Sequence, residues 1–276
     1  MIIEFTKMHG LGNDFVVIDA IRQEISLSPE QIRFIADRHF GVGCDQLLLV
    51  SSAPQSDADF CYRIFNADGS EVAQCGNGAR CFARFIRDKK LSDKDEVSVD
   101  THAGQLILTF EDDGLITVNM GVPRHAPALI PLIAEQEETV YTVRLEGGVQ
   151  NFGAVSLGNP HAVLQIADVN LAAVDKVGAA LESHAFFPAR ANIGFMQICD
   201  RSRIKLRVFE RGAGETLACG SGACAAVVIG IEQHLLANDV LVELPGGQLK
   251  IHWQGREHPV FMTGPAVSVF EGRLEL

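Results

Sequence analysis

The sequence predicts an α/β (α+β) chain of two pseudo-symmetric domains, and three observations predict it. The fifteen residues from Phe65 to Ala79 return as Phe209 to Ala223, 144 positions later and without a slip in register. Six of the fifteen pairs are identical, among them Cys75 with Cys219, Gly76 with Gly220 and Gly78 with Gly222. Each copy follows strand-like runs rich in Ile, Val, Leu and Phe, and each precedes a helix-like run. The second of these helices shows no charge from Ser221 until Glu232. It should therefore be buried on nearly every side, and strands wrapped around it would satisfy that burial.

The elements follow in order. Ile2 to Thr6 and Phe15 to Asp19 read as strands flanking the turn-like Met8-His9-Gly10-Leu11-Gly12-Asn13-Asp14. Ser28-Pro29-Glu30-Gln31 is a helix start, with an N-cap serine, proline at the first helical position and glutamine completing a capping box; that helix runs to about Arg38. Strands are expected at Gln46 to Val50 and Cys61 to Phe65, then a helix from Asn77 to about Lys89. Its Arg80, Arg84 and Arg87 form a narrow polar stripe. Strands at Val97 to Asp100, Gln105 to Phe110 and Leu115 to Met120 complete the first half.

Gly121-Val122-Pro123 marks the boundary, giving domains of residues 1–119, with a returning strand at 265–276, and 120–264. In the second half Gly158-Asn159-Pro160-His161 echoes Gly12-Asn13-Asp14-Phe15, and a helix from about Leu171 to Glu182 corresponds to the Pro29 helix. Asn192-Ile193-Gly194-Phe195 sits where Gly41 to Cys44 sat. A strand at Lys205 to Phe209, the Ser221 to His234 helix and three closing strands near 248–253, 260–263 and 266–271 follow.

Composition narrows the function. A charged fraction of 21% and an apolar fraction of 47% over 276 residues describe a globular protein of about two domains. A formal charge of -12, without clustered Lys and Arg, argues against a nucleic-acid partner. The start, Met1-Ile2-Ile3-Glu4, reads as neither a signal nor a transit peptide, and the longest uncharged apolar run is too short for a membrane span. The expectation is a cytoplasmic protein with no membrane partner. Seven cysteines without small-domain spacing read as free thiols.

A cysteine just before Gly-x-Gly and a helix sits where unpaired N–H groups and the dipole favour an anion. Its thiol value, ordinarily about 8.5, can then fall to roughly 3.5–7.5. The N–H groups of Gly76-Asn77 and Gly220-Ser221 can also grip a carboxylate or phosphate. Two such sites suit stereoinversion: one thiolate takes a proton from one face of a carbon while the other thiol delivers one to the opposite face. Zinc is poorly supported by Cys75-x5-Cys81 and Cys219-x4-Cys224, a redox Cys-x-x-Cys is absent, and neither Gly-x-Gly has the third glycine of a dinucleotide fingerprint. A buried structural cysteine and a cysteine nucleophile with a histidine base stay open.

With Gly10-Leu11-Gly12-Asn13-Asp14-Phe15, Gly43-Cys44-Asp45-Gln46, Phe65-Asn66-Ala67-Asp68-Gly69-Ser70, Cys75-Gly76-Asn77-Gly78-Ala79-Arg80-Cys81, Gly158-Asn159-Pro160-His161, Asn192-Ile193-Gly194, Glu210-Arg211-Gly212 and Cys219-Gly220-Ser221-Gly222, the chain resembles the diaminopimelate epimerase family over essentially its whole length. The resemblance implies two α/β domains, each with strands curved around a central helix, an active site in the interdomain cleft, and a homodimer. It implies that Cys75 and Cys219 interconvert LL- and meso-diaminopimelate, in lysine and peptidoglycan-precursor synthesis, with neither pyridoxal phosphate nor metal. None of the seven lysines lies in a repeated motif, in keeping with that chemistry. Substrate contacts are implied at Asn13, Gln46, Asn66, Gly76, Asn77, Asn159, Asn192, Glu210, Arg211, Gly220 and Ser221, with His161 in support. A substrate carrying two ammonium and two carboxylate groups needs both acceptors and donors; Glu210 suits an ammonium and the Arg211 fork a carboxylate. A proline racemase or phenazine-pathway relative, or a carboxylate-binding module, are the alternatives; the last has no need of two thiols.

Overall fold

The computed structural model describes residues 1–53, 57–72, 76–102, 104–146 and 148–276. The first half runs β1 (Ile2–Gly10), β2 (Asn13–Asp19), α1 (Pro29–Ala36), β3 (Gln46–Ser51), β4 (Phe60–Asn66), β5 (Glu71–Val72), α2 (Gly76–Asp88), β6 (Glu96–Thr101), β7 (Gly104–Phe110) and β8 (Ile116–Asn119). The second runs β9 (Tyr141–Leu145), β10 (Gly148–Ser156), β11 (Pro160–Gln165), α3 (Val174–Glu182), β12 (Asn192–Asp200), β13 (Arg203–Glu210), β14 (Gly214–Thr216), α4 (Gly220–Glu232), β15 (Asp239–Leu244), β16 (Gly247–His252) and β17 (Phe261–Gly264), with β18 (Val267–Glu275) after it.

The chain divides into two compact units, Met1–Val118 with Gly264–Leu276, and Asn119–Thr263. The first has the strand order β18-β1-β2-β3-β4-β6-β7-β8, parallel at β2/β3 and β4/β6 and antiparallel elsewhere. The second, β9-β10-β11-β12-β13-β15-β16-β17, is parallel at β11/β12 and β13/β15 and antiparallel elsewhere. The pattern is the same in both. Parallel neighbours cannot be joined by a tight turn and need a crossover. Among the described residues the α-helices are those crossovers: α1 and α2 in the first unit, α3 and α4 in the second.

The strands covered on both faces, β2, β3 and β11, are buried over nearly their whole length, whereas β4 and β13 alternate. On β2, Phe15, Val16, Val17 and Ile18 are all fully buried. Val16 and Ile18 pack with Ile32, Ile35 and Ala36 of α1, and α2 occupies the other face, its Phe82 ring edge-on to Tyr62 of β4 at 5.2 Å. In the second unit Ala162, Leu164, Ile193 and Phe195 pack with Val174 and Leu181 of α3. The α4 helix is buried from Gly222 to Gly230 without a break. The expected capping box is present, with Ser28 accepting from the Gln31 N–H and Gln31 accepting from the Ser28 N–H. Among the described residues, no helix is long and apolar enough to cross a membrane.

Two expectations are corrected. Arg80 is no part of a polar stripe: it is 0% exposed, whereas Arg84 and Arg87 reach Asp88 and the Lys94 carbonyl near the surface. A helix enclosed by its own sheet has no water-facing side at its first turns, so Arg80 finds its acceptors inside. Asn192 does not match Gly41 to Cys44. Phe15 pairs with Gln46 as His161 pairs with Asn192, so Asn192 is the counterpart of Gln46, and Asn159 of Asn13.

Candidate functional site

Each unit delivers its repeated motif in the same way. After β4 the chain turns, pairs briefly as β5 and enters α2; after β13 it turns, pairs as β14 and enters α4. Arg63 grips Glu71 through Nε and Nη2 at 2.8 and 2.9 Å, and Arg207 grips Glu215 through the same two nitrogens. These forked pairs pin each hairpin. They account for the glutamate repeated in both copies of the motif.

In the second unit, Cys219 is the N-cap of α4 and its Sγ accepts from the Gly222 N–H at 3.4 Å. A Cβ on residue 222 would lie 3.2 Å from that sulfur, so any larger residue must push it back by a few tenths of an ångström. Ser221 Oγ stands 3.7 Å from Sγ and accepts from Asn159 Nδ2 at 3.4 Å. Asn159 Oδ1 faces His161 Nε2 at 3.0 Å. Burial, and secondarily the nearby Arg211 charge, push His161 down to about 3, so the ring is neutral at physiological pH. A carboxamide oxygen only accepts, so the ring proton is on Nε2.

The thiol does not behave as a helix start alone would dictate. Burial, followed by the charge of Glu210, raises Cys219 well above the ordinary thiol range, and a hydrogen bond to Glu210 adds to this. The Gly222 N–H and the Ser221 hydroxyl act in the opposite sense and are outweighed. Cys219 is 4% exposed and is therefore a thiol here, with a carboxylate placed to accept its proton. Glu210 also accepts from the Thr216 hydroxyl.

Asn192 is buried and acts as a tie: its Oδ1 accepts from the Arg211 N–H at 2.9 Å and its Nδ2 donates to the Pro160 carbonyl at 3.3 Å. The exposed Arg211 side chain donates to the Ala189 carbonyl at 3.1 Å. Glu182, absent from the sequence-based set, is a buried carboxylate that accepts from the Gly212 N–H at 2.8 Å and pairs with Arg190. Gly220 is the first residue of α4 and is buried.

In the first unit Cys75 lies outside the described residues. Gly76 opens α2, and Asn77 follows it, buried. Gln46 Nε2 donates to Asn66 Oδ1 at 3.0 Å across β3 and β4, and Asn66 Nδ2 donates to Ser70 Oγ at 3.2 Å. Asn77 Nδ2 donates to Asn13 Oδ1 at 3.3 Å, and Asn13 Nδ2 to Asp45 Oδ2 at 3.0 Å. The loop carrying Asp45 is clamped by Asp14. Burial alone would raise Asp14, but side-chain bonds from Arg38 and Lys7 hold it well below the usual carboxylate range. Asp14, Asp45 and Arg38 were missed as site-forming groups; the first two are next to Asn13 and Gln46 in sequence, the signal that could have found them.

The two halves thus present matching positions with different chemistry. Phe15 stands where His161 stands, Asn66 where Glu210 stands, and Asn77 where Ser221 stands. What they share is a helix start, offered for an anion, next to a cysteine in the sequence.

The diaminopimelate epimerase family model matches residues 5–126 and 153–269, which contain every candidate site residue named above. The chain belongs to the diaminopimelate epimerase family. Membership makes it a protein of isomerase type. Solved structures share the fold at low identity. A hydroxyproline epimerase from Agrobacterium vitis, with trans-4-hydroxy-L-proline bound, is 15% identical, with a TM-score of 0.72 over 99% of this chain and 92% of that one. A phenazine biosynthesis protein of the PhzF family from Bacillus anthracis is 16% identical, with a TM-score of 0.71 over 100% of both chains. A probable proline racemase from Agrobacterium radiobacter is 16% identical, with a TM-score of 0.72 over 99% of this chain and 93% of that one.

Proposed function

We propose that this protein epimerises LL-2,6-diaminopimelate to meso-2,6-diaminopimelate without pyridoxal phosphate, using Cys75 and Cys219 as the two acid-base groups, in lysine and peptidoglycan-precursor synthesis. The observation that carries the reading is Cys219: a buried thiol capping a helix, hydrogen-bonded to Glu210, in a member of this family. A thiol that is protonated at rest is the proton donor of a two-base reaction. Cys75, at the matching place in the repeat, is then the base. Cys75 removes the α proton, the electron pair passes into the substrate carboxylate as an enediolate-like charge, and Cys219 delivers its proton to the opposite face of the carbon.

The N–H groups opening α2 and α4 supply fixed donors for the charge that develops on the carboxylate. After proton delivery Cys219 is a thiolate and Cys75 a thiol; the cycle closes when Cys75 gives its proton to solvent and Cys219, beside Glu210, takes one from solvent. Arg211 and the amides of Asn13, Gln46, Asn66, Asn77, Asn159 and Asn192 serve recognition of the charged ends of the substrate.

Incubation with LL-diaminopimelate in deuterium oxide tests the proposal. The expected result is α-deuterium uptake with inversion, abolished by Cys75→Ala and by Cys219→Ala. If the wild-type protein exchanges no proton with this substrate, the assignment fails. A carboxylate-binding module would bind ligand equally well in both variants and catalyse nothing.

A further inference from the structure

Glu182 has no part in the reaction above, yet its carboxylate is only 4% exposed and stands where a negative charge is unwelcome. It is the last residue of α3, where the helix dipole already places partial negative charge. A buried charge in such a place persists only where hydrogen bonds replace water. Here Oε1 accepts from the Gly212 N–H at 2.8 Å, and Oε2 accepts from Arg190 Nη2 at 2.6 Å. The Glu182 carbonyl accepts from the Ala191 N–H at 3.2 Å. One residue therefore joins three segments: the end of α3, the approach to β12, and the turn between β13 and β14.

That turn carries two groups the proposed reaction uses. Glu210 ends β13, Arg211 and Gly212 follow it, and the chain returns as β14 at Gly214. The Arg211 N–H goes to Asn192 Oδ1 and the Gly212 N–H to Glu182, so two successive donors of the turn are held by side chains from outside the hairpin. Glu182 also reaches Arg211 by a second route. Arg190, gripped by Oε2, has a φ of 58°, a left-handed conformation that a residue with a Cβ adopts only where its surroundings impose it. Next to it, the Ala189 carbonyl receives the Arg211 guanidinium. The two oxygens of one carboxylate thus hold Arg211 from both sides, one at the main chain that follows it and one beside the acceptor of its side chain.

We propose that Glu182 is a positioning residue that sets the β13–β14 turn, fixing Arg211 for the substrate and Glu210 beside the Cys219 thiol. The use of those two side chains in catalysis rests on the epimerase reading; the placing of Glu210 does not, and is measured at Cys219 itself.

The test follows the pH dependence of Cys219 alkylation by iodoacetamide, read by peptide mass spectrometry, in wild-type protein, Glu182→Leu, Glu210→Gln and the double variant. KM for LL-diaminopimelate and thermal melts are measured alongside. Glu182→Leu frees the turn, so Glu210 leaves the sulfur and the alkylation midpoint should move down, as it does in Glu210→Gln. In the Glu210→Gln background, Glu182→Leu should move it no further, because its effect passes through Glu210. KM should rise about tenfold, the effect of weakening one charge-assisted bond from Arg211. Glu182→Gln keeps an acceptor for the Gly212 N–H and loses the charge opposite Arg190, so its midpoint and KM should fall between wild type and Glu182→Leu. A purely structural glutamate would lower the melting temperature with midpoint and KM unchanged, or would add its midpoint shift in full to that of Glu210→Gln; either result overturns the proposal. Should Glu182→Leu fail to fold, Glu182→Gln decides: a lowered midpoint with a raised KM supports the proposal, and a wild-type value of either overturns it. Wild-type protein that leaves LL-diaminopimelate untouched overturns the epimerase reading, while the alkylation cycle still decides whether Glu182 places Glu210.

Discussion

Helix propensity and the packing at Cys219 make opposite predictions for Gly222→Ala. Alanine is the better helix former by about 1 kcal/mol, so propensity alone predicts stabilisation. In the structure, a Cβ on residue 222 would lie 3.1 Å from Val208 Cγ2 and 3.2 Å from both Cys219 Cβ and Sγ. Carbon contacts are comfortable at about 3.5–4.0 Å, so roughly half an ångström must be found. Val208 is buried in β13 and has little room to move, so the displacement falls largely on the sulfur. Overpacking of this kind costs about 1–3 kcal/mol, leaving a net loss of about 0–2 kcal/mol and a melting temperature lower by at most about 8 °C. Catalysis should suffer more. A misplacement of 1 Å costs about a hundredfold, so half of that should lower kcat about tenfold with little change in KM. The assay is deuterium uptake from solvent alongside calorimetric melts, with Gly230→Ala as the comparison. A Cβ at Gly230 would meet Leu236 Cδ1 at 2.4 Å, which should cost stability but spare kcat. Wild-type kcat in Gly222→Ala, or equal loss of kcat in both variants, would refute the reasoning.

Two further outcomes follow from the titrating groups. Glu210→Gln removes one of the influences that hold the Cys219 thiol up, so the midpoint of its pH-dependent alkylation by iodoacetamide, read by peptide mass spectrometry, should move down while staying above that of an ordinary thiol, because burial remains the larger cause; an unchanged or higher midpoint counts against it. For His161, the folded value of about 3 lies below the unfolded value of about 6.5, so between them the unfolded chain binds the extra proton and stability rises with pH. That contribution is complete above about pH 6.5 and is lost as pH falls toward 3. Replacing His161 by Phe, the residue at the matching place in the first half, should shrink the stability difference between pH 4.5 and pH 7 by roughly 2 kcal/mol in urea titrations; an identical pH dependence would contradict the assignment.

Much of this was legible in the sequence because it depends on local chemistry. The Ser28 capping box is written in four consecutive residues, and the duplicated motif announces two units of one design. What was not legible depends on tertiary neighbours. The dipole at the start of α4 can be inferred from Cys219-Gly220-Ser221-Gly222, but the burial that outweighs it depends on the packed fold, and so does the Glu210 carboxylate that adds to it, brought to the sulfur by the β13–β14 hairpin. Arg80 sits at helical spacing from Arg84 and Arg87, and periodicity has no means of showing that only those two lie beyond the enclosing sheet. In β10 the alternation is diluted by Gln150, Asn151 and Gly153, the last a glycine because Ile229 of α4 presses against it.

The position of β18 has a consequence for the order in which the molecule can be built. In the second unit the strand beside β10 is β9, made just before it; in the first unit the matching place beside β1 is taken by β18, made only after the whole second unit. At about 5–20 residues per second, β1 emerges from the ribosome with one edge unpaired and remains so for tens of seconds. An open edge is a template for unwanted pairing, and its residues Ile2, Glu4 and Lys7 place two charges along it. The second unit, continuous in sequence, can complete its sheet first, so the half begun earlier is the half finished last.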